Sequence, residues 1–68
     1  MKISARNQFK GKVTDVKLGN VMAEVTIEIA GGTTLVAAIT RGSAESLGLK
    51  KGDDVTALIK ATEILVGK

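Results

Sequence analysis

The 68 residues read as one small all-β domain, residues 1–68, built as a five-stranded barrel with one short helix between the fourth and last strands. Three observations carry that reading. Val21, Ala23, Val25, Ile27 and Ile29 alternate strictly with Met22, Glu24, Thr26 and Glu28. A period of two marks a strand with one face on a core. The turn signals Gly19-Asn20 and Gly31-Gly32 bracket that run as hairpin ends. Only the stretch from Arg41 to Leu47 has both a helical start and a helical stop.

Residues 2–7 are expected to form the first strand. Extended, they would place Ser4 and Arg6 on one face and Ile3 and Ala5 on the other. Residues 11–17 form the second strand. Its apolar spacing slips between Val13 and Val16, so a bulge or strong bend is expected there. The third strand is the alternating run 21–29. The fourth, residues 34–39, is apolar or nearly so on both faces. It is expected to be covered twice, by its own core and by a neighbouring subunit.

Thr40 or Ser43 can cap the helix, and Gly48 can end it in a left-handed conformation. Lys50-Lys51-Gly52-Asp53 is a turn. The last strand sets Val55, Ala57 and Ile59 against Thr56, Leu58 and Lys60, and residues 62–66 look extended as well. A helix between the fourth and last strands of a small barrel is the OB-like architecture.

Composition removes most chemistry. The chain has no Cys and no His, so disulfides, thiolates, imidazole catalysis and the usual zinc sites are out. The carboxylates form no obvious acid–base pair, although Asp53 and Asp54 are adjacent. The protein is therefore not expected to be an enzyme or to carry a cofactor. A net charge of +3, from 10 basic and 7 acidic residues, favours anionic partners. Met1-Lys2-Ile3-Ser4 opens no secretory leader, and no run approaches the ~20 apolar residues of a membrane span. A cytoplasmic protein without membrane contact is expected.

The chain is too hydrophobic for its size. Apolar residues make up 44% of it, yet a chain this short buries only roughly 60% of its unfolded surface. It also lacks disulfides and aromatic bulk. Further copies of the same chain are the simplest cover for the excess, so a homo-oligomer is expected.

Three places could bind an anion. Ser4 and Arg6 offer a hydroxyl and a guanidinium, although an ordinary exposed strand face would look the same. Thr40-Arg41-Gly42-Ser43 could present backbone N–H groups at a helix start, with Gly42 allowing close approach, or could be plain capping. Lys60 follows an apolar run. Partly buried, it would need an anionic partner, Glu63 or a bound ion; otherwise it is a solvated strand-end lysine. Phosphate-loop and dinucleotide glycine spacings are missing. Nucleic-acid binding, the alternative use of an OB-like barrel, normally needs aromatic platforms, and Phe9 is the only aromatic residue. No nucleic-acid partner is expected.

Three signatures occur in order along the chain: Ser4-Ala5-Arg6-Asn7-Gln8 with Gly11; Ala38-Ile39-Thr40 with Ser43 and Leu47-Gly48-Leu49; and Leu58-Ile59-Lys60-Ala61. Together they make the whole chain resemble the molbindins, the small molybdate-binding Mop proteins, in particular their clostridial type. The resemblance implies an OB-like fold assembled as a hexamer, a trimer of dimers, with molybdate or tungstate held between subunits. It implies Ser4, Arg6, Thr40, Ser43 and Lys60 as ligand side chains, helped by backbone N–H groups near Ala5 and Ala61. A second class of site near the threefold axis is also implied, as are a storage or homeostatic role, buffering or a sensor function.

Overall fold

In the computed structural model, which describes residues 1–68, the chain spends its β-propensity on one antiparallel sheet. The strands are β1 (Asn7–Leu18), β2 (Met22–Ile29), β3 (Thr34–Thr40) and β4 (Asp54–Ile59). Their order is β3-β2-β1-β4. Helix α1 (Arg41–Leu47) joins β3 to β4, and single 3-10 turns lie at Ala30–Gly32 and Ala61–Glu63. The all-β class, the two hairpins and the position of the helix agree with the sequence reading.

The strand count does not. Five strands were expected and four are present. The missing one is residues 2–7, where regular strand begins only at Asn7 and the backbone bends at Ser4 and Arg6. Register explains the difference. The β1–β4 ladder ends with Asn7 paired to Ile59, so residues 2–6 would need β4 to continue through residues 60–64. Instead the chain turns there, and the Glu63 N–H donates to the Lys60 carbonyl at 2.9 Å. With no neighbour to bond, neither residues 2–6 nor residues 62–66 become strands. Gln8 Nε2 instead donates to the Ala5 carbonyl at 2.6 Å, a local tie.

β1 serves two partners. Residues Asn7–Lys12 pair with β4, while Gly11–Leu18 pair with β2. Gly11 faces Ile29 on one side and Val55 on the other. A Cβ at Gly11 would stand 2.6 Å from the Glu28 carbonyl oxygen and 2.8 Å from Ile27 Cγ2, so only glycine fits. The expected bulge falls at Thr14: Val13 pairs with Ile27 and Asp15 with Thr26, leaving Thr14 as the extra residue. Bulges bend a strand and raise its twist, which lets one long strand curl around the core.

The core is small. Val13, Ala23, Val25, Ile27 and Ala44 are the buried residues, with Val16, Ile29, Ala37, Ile39, Leu49, Val55 and Ala57 partly buried around them. The inward face of β2 is thus the alternating face read from the sequence, apart from Val21, which precedes the strand and is exposed. Ala44 fastens α1 to this core. Thr40 is the cap of α1, its hydroxyl oxygen accepting the Ser43 N–H at 3.0 Å. Gly48 closes the helix at φ 62°, a left-handed geometry that favours glycine. On β3, Leu35, Ala37 and Ile39 turn toward the core, while Val36 is 64% exposed on the other face.

Candidate functional site

The adjacent carboxylates can be set aside first. Lys50 Nζ lies 2.9 Å from Asp53 Oδ1, and the Lys50 N–H donates to Oδ2 at 3.0 Å. The bonds from the Lys50 side chain and backbone hold the Asp53 carboxyl below the usual carboxylate range. Asp54 instead meets Lys12 Nζ at 2.7 Å. Each carboxylate has its own lysine, so the two form no catalytic pair.

The remaining ion pair joins Arg41 Nε to Glu45 Oε1 at 3.3 Å. Arg41 Nη1 also donates to the Gly19 carbonyl at 3.2 Å, tying α1 to the β1–β2 turn. Arg6 and Lys60 take part in none of the three ion pairs. Both are exposed, and each stands one residue outside the terminal Asn7–Ile59 pair of the β1–β4 ladder. The end of that ladder is latched by Asn7 Nδ2, which donates to the Ile59 carbonyl at 3.2 Å. Asn7 belongs to the opening signature, but its positioning role becomes visible only with the register known.

The structure therefore gathers Ser4, Ala5, Arg6, Lys60 and Ala61 at one end of the sheet. It corrects two details. Ser4 and Arg6 do not share a strand face, because no strand forms there. Lys60 is exposed, not partly buried, and makes no pair with Glu63, because β4 stops at Ile59 and the chain turns away.

Thr40 and Ser43 sit elsewhere. Thr40 pairs with Met22, the first residue of β2, beside the Leu18 end of β1. Arg6 and Lys60 flank the Asn7 end of the same 12-residue strand. The two groups thus lie at opposite ends of β1, and no hydrogen bond or ion pair within the chain links them.

At the Thr40 end, a shallow cleft is lined by Thr40, Gly42, Ser43, Ser46 and Leu47. The Thr40 hydroxyl is committed within the chain, donating to Ser43 Oγ at 2.7 Å while accepting the Ser43 N–H. The Ser43 hydroxyl keeps its own hydrogen to donate outward. A Cβ at Gly42 would touch nothing within 4 Å, so the space over the backbone is open. Ser46 is a hydroxyl that the sequence reading passed over; its spacing of three from Ser43 on a helix was the available signal.

Free cations, hydroxyls and N–H groups are donors throughout, which suits an anion with acceptor oxygens. No group of three or more His, Cys, Asp or Glu side chains could hold a bare metal ion. An apolar groove between β3 and β4 contains none of these polar candidates. No helix is long and apolar enough to cross a membrane.

Comparison with known proteins agrees over the full length. Residues 3–66 match the TOBE domain family. The chain is 53% identical over 66 residues to molybdenum-pterin-binding protein 3 of Clostridium pasteurianum, covering 97% of each chain. A solved molybdate-binding protein from Sporomusa ovata superposes with a TM-score of 0.93 at 50% identity, with 100% of both chains covered. The cytoplasmic molybdate-binding protein ModG, solved with molybdate bound, superposes at 0.86 with 54% identity, over 90% of this chain and 43% of that one.

Proposed function

Since the chain belongs to the TOBE-domain family, we propose that it binds molybdate, and tungstate by the same chemistry, between copies of itself. It does so without catalysis, as an intracellular store that holds the oxyanion in the cytoplasm. The ligand groups are the side chains of Ser4, Arg6, Thr40, Ser43 and Lys60 with the backbone N–H groups of Ala5 and Ala61. The observation that carries this reading is positional: Arg6 and Lys60, two of the cations that take part in no ion pair, flank the same end of the β1–β4 ladder. The likeness to proteins named for molybdate or molybdenum-pterin binding supports the choice of ion.

Molybdate is a tetrahedral dianion with four acceptor oxygens and no proton to donate. Two cationic side chains balance its charge, and charge-assisted hydrogen bonds are roughly twice as strong as neutral ones. Monohydrogen phosphate would bring a proton to a shell without a carboxylate acceptor, and is disfavoured. Sulfate matches in charge and shape, so its rejection rests on size. A pterin ring is a poorer fit. Flat heterocycles gain from stacking on aromatic faces, and Phe9 is the chain's single aromatic residue.

The placement of Thr40 and Ser43 at the opposite end of β1 from Arg6 and Lys60 supports a shared site, in which groups from different copies meet around one ion. The assembly proposed is a hexamer, a trimer of dimers. Binding then adds to the stability of the assembly. Titration calorimetry of molybdate against the protein and its Arg6→Ala and Lys60→Ala variants tests the reading, with native mass spectrometry confirming equal subunit counts. Each variant is expected to lose affinity at least tenfold, about 1.4 kcal/mol. Unchanged affinity in both would reject the assigned shell, and tight binding by a monomer would reject the shared site.

A further inference from the structure

We propose that Gln8 is a positioning residue of the anion site: its side-chain amide holds the Ser4-Ala5-Arg6 segment ready for the ion, as Asn7 beside it holds Lys60. This deepens the reading above and rests on it. Residues 1–6 lie outside the strands and the helix, and none of the nine backbone bonds formed outside those elements involves them. They enter no ion pair. A single hydrogen bond reaches them, from Gln8 Nε2 to the Ala5 carbonyl at 2.6 Å. The ligand residues Ser4 and Arg6 stand on either side of the residue that accepts it.

The course of the segment gives that bond its importance. β1 begins at Asn7, yet Met1 lines two clefts together with Asp54, Val55 and Thr56 of β4. The opening segment therefore doubles back beside β4 instead of running on past the end of β1. The Gln8 bond spans three residues and closes the bend. It fixes the planar peptide between Ala5 and Arg6, and with it the direction in which the Arg6 side chain leaves the backbone.

Asn7 and Gln8 are successive residues of one strand, so their side chains leave opposite faces of it. Asn7 Nδ2 donates to the Ile59 carbonyl at 3.2 Å, in the peptide that leads into Lys60. Gln8 donates to the carbonyl in the peptide that leads into Arg6. Each amide thus pins the backbone at one of the two cations. Both amides are neutral and bring no charge to attract a dianion, so their contribution is placement. A loose segment would have to be ordered by the ion, and that ordering would be subtracted from affinity.

Gln8→Met keeps the side-chain length and removes the donor. It should weaken molybdate binding roughly fivefold in titration calorimetry, the effect of one neutral hydrogen bond. The urea midpoint and the subunit count by native mass spectrometry should stay as in the parent. The same substitution is then made in Arg6→Ala and in Lys60→Ala backgrounds. Its cost should fall below twofold without the Arg6 side chain and persist in full without that of Lys60. Heteronuclear relaxation of the ion-free protein should show residues 4–6 gaining motion in Gln8→Met while Lys60 does not. Equal costs in the two backgrounds, or unchanged affinity with Arg6→Ala and Lys60→Ala both impaired, would overturn the positioning role and leave the site standing. A lowered subunit count would place Gln8 in the assembly instead of the site. If Arg6→Ala and Lys60→Ala themselves bind like the parent, the site fails and Gln8 has nothing to position.

Discussion

Gly11 and Arg6 lie on either side of the start of β1 and meet opposite conditions. Gly11 is enclosed by the Glu28 carbonyl and the Ile27 and Ile29 side chains, with no room for a methyl group. Arg6 has no carboxylate within reach and no strand beside it. The first region is determined within one chain: register, bulge and packing all close on themselves. The second carries charge that nothing in the same chain neutralises. Structure that is complete and structure that awaits a ligand or another copy are adjacent on one strand. Substitutions should therefore divide sharply between loss of fold and loss of binding.

The largest effect is expected from Gly11→Ala. The added Cβ would press on a backbone oxygen at 2.6 Å, and backbone in a three-strand crossing has little freedom to move. A loss of about 3 kcal/mol is expected in urea unfolding, at the upper end of overpacking costs. Gly42→Ala, where the new methyl meets nothing, should change stability by under about 1 kcal/mol, with alanine favoured in a helix. Equal losses at the two glycines would remove the distinction between the regions.

Two valines sharpen it further. Val25 is 2% exposed in the core and Val36 is 64% exposed on the outer face of β3. Val25→Ala should cost about 2 kcal/mol through lost burial and a residual cavity. Val36→Ala should stay within about 0.5 kcal/mol in a dilute monomer. A large cost for Val36→Ala that grows with protein concentration would show that its face is covered in the assembly.

The same division explains what could be read from the amino acids alone. The alternation in 21–29, the slip between Val13 and Val16, and the Thr40 and Gly48 caps are local patterns with local causes, and each reappears in the structure. The strand expected at residues 2–7 failed because strand formation needs a neighbour, and whether residues 60–64 continue β4 is a question of register. The donor residues of the candidate site were legible as chemistry. Their grouping was not, because alternation says which face a residue takes and not which end of a folded sheet it reaches. The placement of Arg6 and Lys60 beside one end of the β1–β4 ladder, and of Thr40 beside the other end of β1, followed only from topology.

The smallest effect expected is a pH dependence, in a turn that belongs to the closed region. The Gly52 N–H donates to the Val13 carbonyl at 2.8 Å, and the Val13 N–H to the Asp53 carbonyl at 2.9 Å, so the turn docks on the buried residue of β1. Within it, the Lys50 side chain and backbone N–H hold the Asp53 carboxyl below its ordinary value. A group depressed in the folded state contributes stability that is complete above its unfolded value, near 3.9, and disappears as pH falls through the folded value. Asp53→Asn removes that contribution. Urea midpoints of the two proteins should therefore differ by a constant amount from neutral pH down to about pH 5 and converge below about pH 4. Because Asp53 lies at the surface, solvent screens the pair and the gap should be small. A gap that widens on acidification would mean that Lys50 does not hold the charged form. The turn would then owe its docking on Val13 to the backbone bonds alone.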